Sequence, residues 1–194
     1  MKNKRAGPGS STNLLLTGPP GCGKTTVVKR SVEQLGRLRI AGFYTGELRD
    51  AGRRTGFEAV GLGTGRTVLL AGVRSKCRIR VGRYGVELPQ FEGLLAAEFR
   101  RPLVDVDLAV IDEIGKMECY SSLFVEIVRD LLDGPVPLLA TVAQEGAGLI
   151  RDVNGRANVE LLTVTVANRD WGRETEASRR RKSMRWRLPA PATV

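Results

Sequence analysis

Histidine is absent from the 194-residue chain. This absence excludes Ser-His and Cys-His catalysis, and it excludes every zinc site that uses imidazole ligands. Chemistry in this chain must therefore rest on lysine, arginine, carboxylates and hydroxyl groups, with a hard cation as the metal that suits such groups.

Cysteines and long apolar runs are also scarce. The three cysteines, Cys22, Cys77 and Cys119, form an odd and scattered set that suggests no disulfide framework. No apolar run approaches the ~18 residues needed to span a bilayer. The basic N-terminus continues into GPGS at 7–10, where a signal peptide would need an apolar stretch. We therefore expect a soluble, cytoplasmic and monomeric protein that does not associate with membranes.

The formal net charge of +10 invites a nucleic-acid interpretation. However, the segment from Arg169 to Arg187 carries eight basic residues against three acids, which is about half of the excess. Such a segment is more typical of a solvated extension. We therefore divide the chain into a flexible N-terminal tail (1–12), one folded domain (13–170) and a basic, poorly ordered C-terminal tail (171–194). Nucleic-acid binding stays open as an alternative that the sequence does not favour.

Strand-like and helix-like segments alternate along the domain. Short apolar runs predict strands at 13–17, 40–45, 107–112, 138–142 and 161–166. Helical periodicity predicts helices at 24–35, 91–99 and 123–132. The turn-rich region 46–88 predicts an antiparallel insertion, with a hairpin through Phe57 and Val60 and short strands at 68–73 and 78–81. The pattern indicates an α/β fold with a mainly parallel sheet, on which ligands bind beyond the carboxyl ends of the strands.

A phosphate-binding loop follows the first predicted strand. Residues 18–25 (GPPGCGKT) match G-x-x-x-x-G-K-[ST] at every fixed position, directly before a predicted helix. The glycines let backbone N–H groups turn inward to form an anion nest, and the helix adds its positive end. Lys24 can reach the β- and γ-phosphates, and the Thr25 hydroxyl can ligate Mg²⁺. The candidate nucleotide-binding residues of this loop are Gly18, Pro19, Pro20, Gly21, Cys22, Gly23, Lys24, Thr25 and Thr26.

Two adjacent carboxylates end the strand predicted at 107–112. The buried run delivers Asp112 to the edge of the sheet where the phosphate loop also lies, so Asp112 is the second candidate Mg²⁺ ligand. Glu113 points the other way along the pleat and could orient or deprotonate the attacking water. The alternative for Glu113 is a structural ion pair with Lys116 or a nearby arginine.

Several motifs resemble one family. Residues 112–118 (DEIGKME) resemble the signature of the small nucleoside-triphosphatases first typified by thermophile enzymes, a family that includes the cancer-related nucleoside-triphosphatase. The segments 42–45 (GFYT), 54–57 (RTGF), 82–86 (GRYGV) and 168–170 (NRD) agree with that family in order. Gly46 departs from it by standing where a glutamate is usual, and the segment after Asp170 is strongly polar where the family continues into an apolar helix.

The resemblance implies a P-loop nucleoside-triphosphatase of the RecA-like type, a three-layer sandwich. It also implies Mg²⁺-dependent hydrolysis of several nucleoside triphosphates, among them ATP and GTP, to the diphosphate and phosphate. It further implies that the phosphate loop and the segment 112–116 (Asp112, Glu113, Ile114, Gly115 and Lys116) both face the nucleotide.

Other charged side chains are candidates for the site. Lys116 could meet the γ-phosphate, or it could form a salt bridge with Glu113 or Glu118. Arg169 could act as an arginine finger or contact the base, with a structural hydrogen-bonding role as the alternative. The turn residues Arg53 and Arg54 are expected on a solvated face.

The leading hypothesis is a hydrolase with Glu113, Lys24 and Lys116 as catalytic residues and Thr25 and Asp112 as metal ligands. A nucleotide or small-molecule kinase shares the loop, and the basic residues Arg74, Lys76, Arg78, Arg80 and Arg83 could form its lid. The adjacent Asp-Glu pair favours water activation over that reading. A nucleic-acid-binding ATPase is the third hypothesis, which predicts turnover stimulated by DNA or RNA and strong salt dependence.

Overall fold

The computed structural model describes residues 13–36, 38–99 and 103–169. The predicted tails at 1–12 and 171–194 lie outside the described residues. The strands are β1 (Asn13–Thr17), β2 (Ile40–Asp50), β3 (Arg53–Gly61), β4 (Thr67–Gly72), β5 (Arg80–Val81), β6 (Tyr84–Val86), β7 (Leu108–Ile114), β8 (Leu138–Val142) and β9 (Val159–Thr163). The helices are α1 (Lys24–Leu35), α2 (Leu88–Glu98), α3 (Ser122–Asp133) and α4 (Leu149–Asn154), with 3-10 turns at Leu103–Asp105 and Glu118–Tyr120.

The strands of the described residues form one mixed sheet in the order β5-β6-β4-β3-β2-β7-β8-β1-β9. The half from β2 to β9 is parallel, whereas β3, β4, β6 and β5 continue from β2 as an antiparallel extension. Strand β2 joins the halves because its first residues pair with β7 and its later residues pair with β3. The predicted α/β fold with a mainly parallel sheet and an antiparallel insertion is confirmed.

Helices cover both faces of the parallel half and make three layers. Along β7, Leu108 and Val110 pack with α1, while Ala109 and Ile111 pack with α2, α3 and α4 on the other face. This sorting follows from the two-residue period of a strand. All four side chains are fully buried, as expected for a central parallel strand that is covered on both faces.

A buried carboxylate ties the insertion to the helical layer. Glu98, at the end of α2, accepts hydrogen bonds from the backbone N–H groups of Gly42 (3.2 Å), Gly63 (2.8 Å) and Thr64 (2.9 Å), and from the Thr64 hydroxyl (2.5 Å). Gly42 must be glycine, since a Cβ there would lie 1.8 Å from the Val110 carbonyl oxygen at a φ of +139°. These contacts hold β2 close to β7 and fix the turn between β3 and β4.

Several predicted bounds differ from the structure. The second strand runs on to Asp50 because β3 pairs with it, and the last strand lies at Val159–Thr163 because its register is set by β1. The strand predicted at 78–81 is reduced to Arg80–Val81. Among the described helices, none has both the length and the apolar character needed to cross a membrane.

Candidate active site

The phosphate loop lies between β1 and α1, at the carboxyl edge of the sheet. Gly18, Gly21 and Gly23 have φ values of +150°, +75° and +106°, which side-chain-bearing residues rarely adopt. Helix α1 begins at Lys24 with no side-chain cap and no acidic residue in its first turn. Its first N–H groups and its positive end therefore remain available to an anion.

The loop is shaped by close packing on both sides. A Cβ on Gly18 would lie 2.4 Å from the Val164 carbonyl oxygen, so the loop can follow this path only with glycine at 18. Cys22 is buried against Val28 and Val164 in the apolar cluster under α1, which is a packing role. Pro19, Pro20, Gly21 and Thr26 are exposed.

Lys24 folds back over this loop. Its ammonium group donates a 2.9 Å hydrogen bond to the Gly18 carbonyl oxygen, and its side chain is largely buried. This hydrogen bond positions the ammonium group beside the loop, where it can interact with phosphate oxygens bound by the loop N–H groups.

Asp112 lies at the carboxyl end of β7 and is 1% exposed. The Thr141 hydroxyl donates a 2.6 Å hydrogen bond to its Oδ1 atom. Its Oδ2 atom is buried without a hydrogen-bond partner. Burial raises the pKa of Asp112, and the hydroxyls of Thr141 and Thr25 and the N–H group of Thr45 oppose that rise.

Glu113 follows Asp112 across a cis peptide bond and is half-buried. Burial raises its pKa, the positive charge of Lys24 opposes this, and the negative charge of Asp112 adds to it. Lys24 acts electrostatically on Asp112 as well. The structure thus brings together the loop lysine, the Thr25 hydroxyl and both carboxylates.

The rest of the 112–116 segment is divided between core and surface. Ile114 is fully buried in the apolar core, and Gly115 is buried behind it, so neither presents a side chain to a ligand. Lys116 is exposed and lines an open hollow of about 740 Å³ that also contacts Arg80 and Arg129. In the described part of the chain Lys116 forms no ion pair with Glu113 or Glu118, so the alternative of a salt bridge is wrong.

Arg169 lies against the phosphate loop. The Asn168 side chain accepts from the Thr165 N–H (2.7 Å) and donates to the Thr163 carbonyl oxygen (2.9 Å), and the Arg169 N–H donates to the Thr165 carbonyl oxygen (2.9 Å). This tight turn after β9 places the aliphatic part of Arg169 beside Gly23, where a Cβ would lie 3.1 Å from Arg169 Cδ. The aliphatic part of this exposed side chain therefore lies beside the phosphate loop.

The expectation of a solvated face is confirmed for Arg53 and Arg54, since both residues are exposed. Arg54 nevertheless has polar partners. Arg54, from the RTGF segment, donates hydrogen bonds to the Tyr84 hydroxyl (3.1 Å) and to Glu47 (2.6 Å). Tyr84 belongs to the GRYGV segment and Glu47 follows the GFYT segment. Three of the motifs therefore contribute to one polar cluster. Met117 packs against the apolar side of this insertion, beside Tyr84 and Val86. The antiparallel insertion is therefore packed against the 112–118 segment, which carries Asp112 and Glu113.

Sequence reasoning missed Thr141 and Glu118 as parts of the site. A lone hydroxyl in the apolar run at 138–142 (LLATV) was the available signal for Thr141, because a polar residue in a fully buried strand needs a partner. Glu118 is also buried, and burial together with nearby carboxylates raises its pKa to about 8.

Comparison with known proteins identifies the family. A family model described as NTPase matches residues 13–175. The nucleoside-triphosphatase THEP1 of Thermofilum pendens is 39% identical over 165 residues, which cover 83% of this chain and 91% of that protein. The human cancer-related nucleoside-triphosphatase is 37% identical, with coverage of 81% and 90%.

Solved structures agree with these relatives. The crystal structure of THEP1 from Aquifex aeolicus superposes with a TM-score of 0.76 at 32% identity, covering 90% of this chain and 99% of that one. The solution structure of the human protein gives a TM-score of 0.68 at 36% identity, with coverage of 81% and 91%. With the phosphate loop and the acidic strand end in place on this fold, the chain belongs to the P-loop nucleoside-triphosphatase family of these proteins.

Proposed function

We propose that this protein hydrolyses several nucleoside 5'-triphosphates, ATP and GTP among them, to the diphosphate and phosphate. The observation that carries the proposal is the convergence of Lys24, Asp112 and Glu113 at the uncapped start of α1. A phosphate nest with two carboxylates beside it suits an attack by water on the terminal phosphorus. The names of the relatives support the same reaction.

The residues present fit Mg²⁺. The Oδ2 atom of Asp112 is a buried oxygen without a partner, and the Thr25 hydroxyl acts on the same carboxyl group. Both are hard oxygen donors of the kind that Mg²⁺ prefers, and Mg²⁺ is commonly held by one or two such groups plus substrate phosphates. The described residues contain no cluster of three or more His, Cys, Asp or Glu that could bind a metal without substrate. When bound, Mg²⁺ would neutralise charge on the β- and γ-phosphate oxygens.

Each protein group has a separate role in the proposed reaction. The loop N–H groups and Lys24 bind the β- and γ-phosphates and stabilise the charge that develops on them. Glu113 accepts a hydrogen bond from water and aligns its oxygen with the γ-phosphorus. The new P–O bond forms as the bond to the bridging oxygen breaks, and the water protons pass to Glu113 and the released phosphate. Arg169, whose aliphatic part lies beside Gly23, and Lys116 are assigned the role of adding positive charge near the γ-phosphate.

No observation specifically favours the kinase alternative. The half-buried Glu113 next to Asp112 is better suited to orient a water molecule than a larger phosphate acceptor. A cytoplasmic monomer that needs no nucleic acid remains part of the proposal. Light scattering that gives a mass near 21.1 kDa and turnover unaffected by added DNA or RNA would support it.

The test is phosphate release from ATP, GTP, CTP and UTP, with Mg²⁺ or with EDTA, by wild type, Lys24→Ala and Lys76→Ala. We expect release from several nucleotides that requires Mg²⁺ and falls at least about 100-fold in Lys24→Ala. Lys76→Ala removes the same charge from an exposed site on the insertion and should match wild type. Nucleotide binding by wild type without any phosphate release would contradict the proposal.

A further inference from the structure

Glu118 is a buried acid that the proposed reaction does not use. It begins the 3-10 turn Glu118–Tyr120, shortly after the carboxyl end of β7, and is 5% exposed. Among the described residues no basic side chain pairs with it. A buried carboxyl group without a countercharge is costly, so its retention in this position needs an explanation.

The contacts of Glu118 are with the backbone that carries Glu113. Its carboxyl group lies near its own N–H and the N–H of Gly115, and both lower its pKa. A Cβ on Gly115 would lie 2.8 Å from Glu118 Oε2 and 3.6 Å from Glu113 Cγ. Gly115 is therefore enclosed between the two glutamate side chains, and the Cys119 N–H closes the turn on the Gly115 carbonyl oxygen at 3.1 Å.

We propose that Glu118 is a positioning residue: its carboxyl group clamps the backbone at Gly115 and so holds Glu113 in the orientation that aligns the attacking water. The inference rests on the proposed function for its kinetic consequence, but the clamp itself is a property of the fold. Glu118 touches neither substrate nor metal in this scheme. It acts through Gly115.

Burial favours the neutral form of Glu118 and raises its pKa by more than the N–H groups of Glu118 and Gly115 lower it. Burial, together with the negative charges of Glu113 and Asp112, raises the pKa of Glu118 to about 8, so the group carries a proton at neutral pH. The other titratable group beside it is Cys119, whose pKa is raised to about 11 by burial and by Glu118. Loss of the Glu118 proton would place a third negative charge beside the two site carboxylates, where it would repel Glu113 and the polyanionic substrate.

Three variants test the inference. Glu118→Gln keeps a neutral group that can accept from the Gly115 N–H, and Glu118→Ala removes the clamp. Glu126→Gln on α3 is the matched control, because Glu126 is exposed. For each, kcat is measured against pH from 6 to 10, nucleotide affinity is measured separately, and thermal unfolding checks the fold.

We expect wild-type kcat to fall above about pH 8, and we expect Glu118→Gln to keep near-wild-type kcat at pH 7 without that fall. Glu118→Ala should lose about 100-fold in kcat, as a small misplacement of a reacting group does, with little change in affinity. An alkaline fall that persists unchanged in Glu118→Gln would overturn the inference, as would a kcat for a folded Glu118→Ala equal to that of Glu126→Gln.

A second measurement does not depend on activity. Amide hydrogen exchange at Gly115 should be faster in Glu118→Ala than in wild type, and unchanged in Glu126→Gln. If wild type releases no phosphate, the proposed function fails, yet this exchange measurement still decides the clamp. Equal exchange at Gly115 in wild type and Glu118→Ala would refute it.

Discussion

The hydroxyl of Thr141, on β8, donates a 2.6 Å hydrogen bond to the Oδ1 atom of Asp112 on the neighbouring strand β7. This bond holds the carboxyl group by one oxygen, while Oδ2 remains buried and without a partner. A desolvated carboxylate with one free oxygen is unfavourable for stability but is suited to receive a cation. The two strands therefore hold the proposed metal-binding oxygen ready at some cost to the fold.

Asp112→Asn should raise stability while removing turnover. The neutral amide can still accept from Thr141 but carries no buried charge, so we expect the free energy of unfolding to rise by about 1 kcal/mol without nucleotide. Urea unfolding in EDTA measures this, and Asp50→Asn, at the exposed end of β2, is the control. A variant that is both less stable and fully active would argue against the role given to Asp112.

Thr141→Val should lower stability. The substitution keeps the side-chain shape but deprives the buried Asp112 of its short hydrogen bond, which costs about 2 kcal/mol for a charged acceptor. Urea unfolding at pH 7 tests the value, with Thr163→Val on the exposed strand β9 as the control. If Thr141→Val and Thr163→Val unfold at the same urea concentration, the hydrogen bond has no energetic role.

Glu98→Ala should destabilise the whole domain. The change leaves the N–H groups of Gly42, Gly63 and Thr64 without their buried acceptor, and we expect a loss of about 3 kcal/mol or more. The midpoint of urea unfolding reports the loss, and Glu160→Ala, exposed on β9, should change it little. A Glu98→Ala midpoint close to that of Glu160→Ala would show that water replaces the carboxylate.

Tyr84 should titrate below an ordinary tyrosine. The hydrogen bond from Arg54, followed by that from Arg83, lowers the pKa of the Tyr84 phenol because positive neighbours favour the phenolate. Arg54→Gln should therefore shift the phenolate absorbance transition to higher pH, and Tyr84→Phe should identify which transition belongs to Tyr84. An identical titration curve in wild type and Arg54→Gln would show that the two side chains do not interact in solution.

The parts that sequence predicted well are those specified by neighbouring residues. The strand at Asn13–Thr17, the glycine spacing of the loop and the start of α1 are all local signals, and the structure has them where expected. The apolar run that ends in Asp112 is equally local. A parallel sheet then brings both strand ends to one edge, so their proximity also followed from the pattern.

The parts that sequence missed depend on distant partners. Glu98 is 56 residues from Gly42 and 35 from Gly63, and Arg54 is 30 residues from Tyr84. No periodicity or motif in one segment indicates such pairs. The last strand was placed too late because its apolar residues continue to Val166, whereas pairing with β1 ends it at Thr163.

The role of Glu113 is tested by comparing MgATP hydrolysis by wild type and Glu113→Gln, with nucleotide binding measured on the same samples. We expect Glu113→Gln to bind ATP about as tightly as wild type but to release phosphate at least about 100-fold more slowly, because the aligned water loses its acceptor. Phosphate release by Glu113→Gln at the wild-type rate would contradict the central role assigned to this carboxylate.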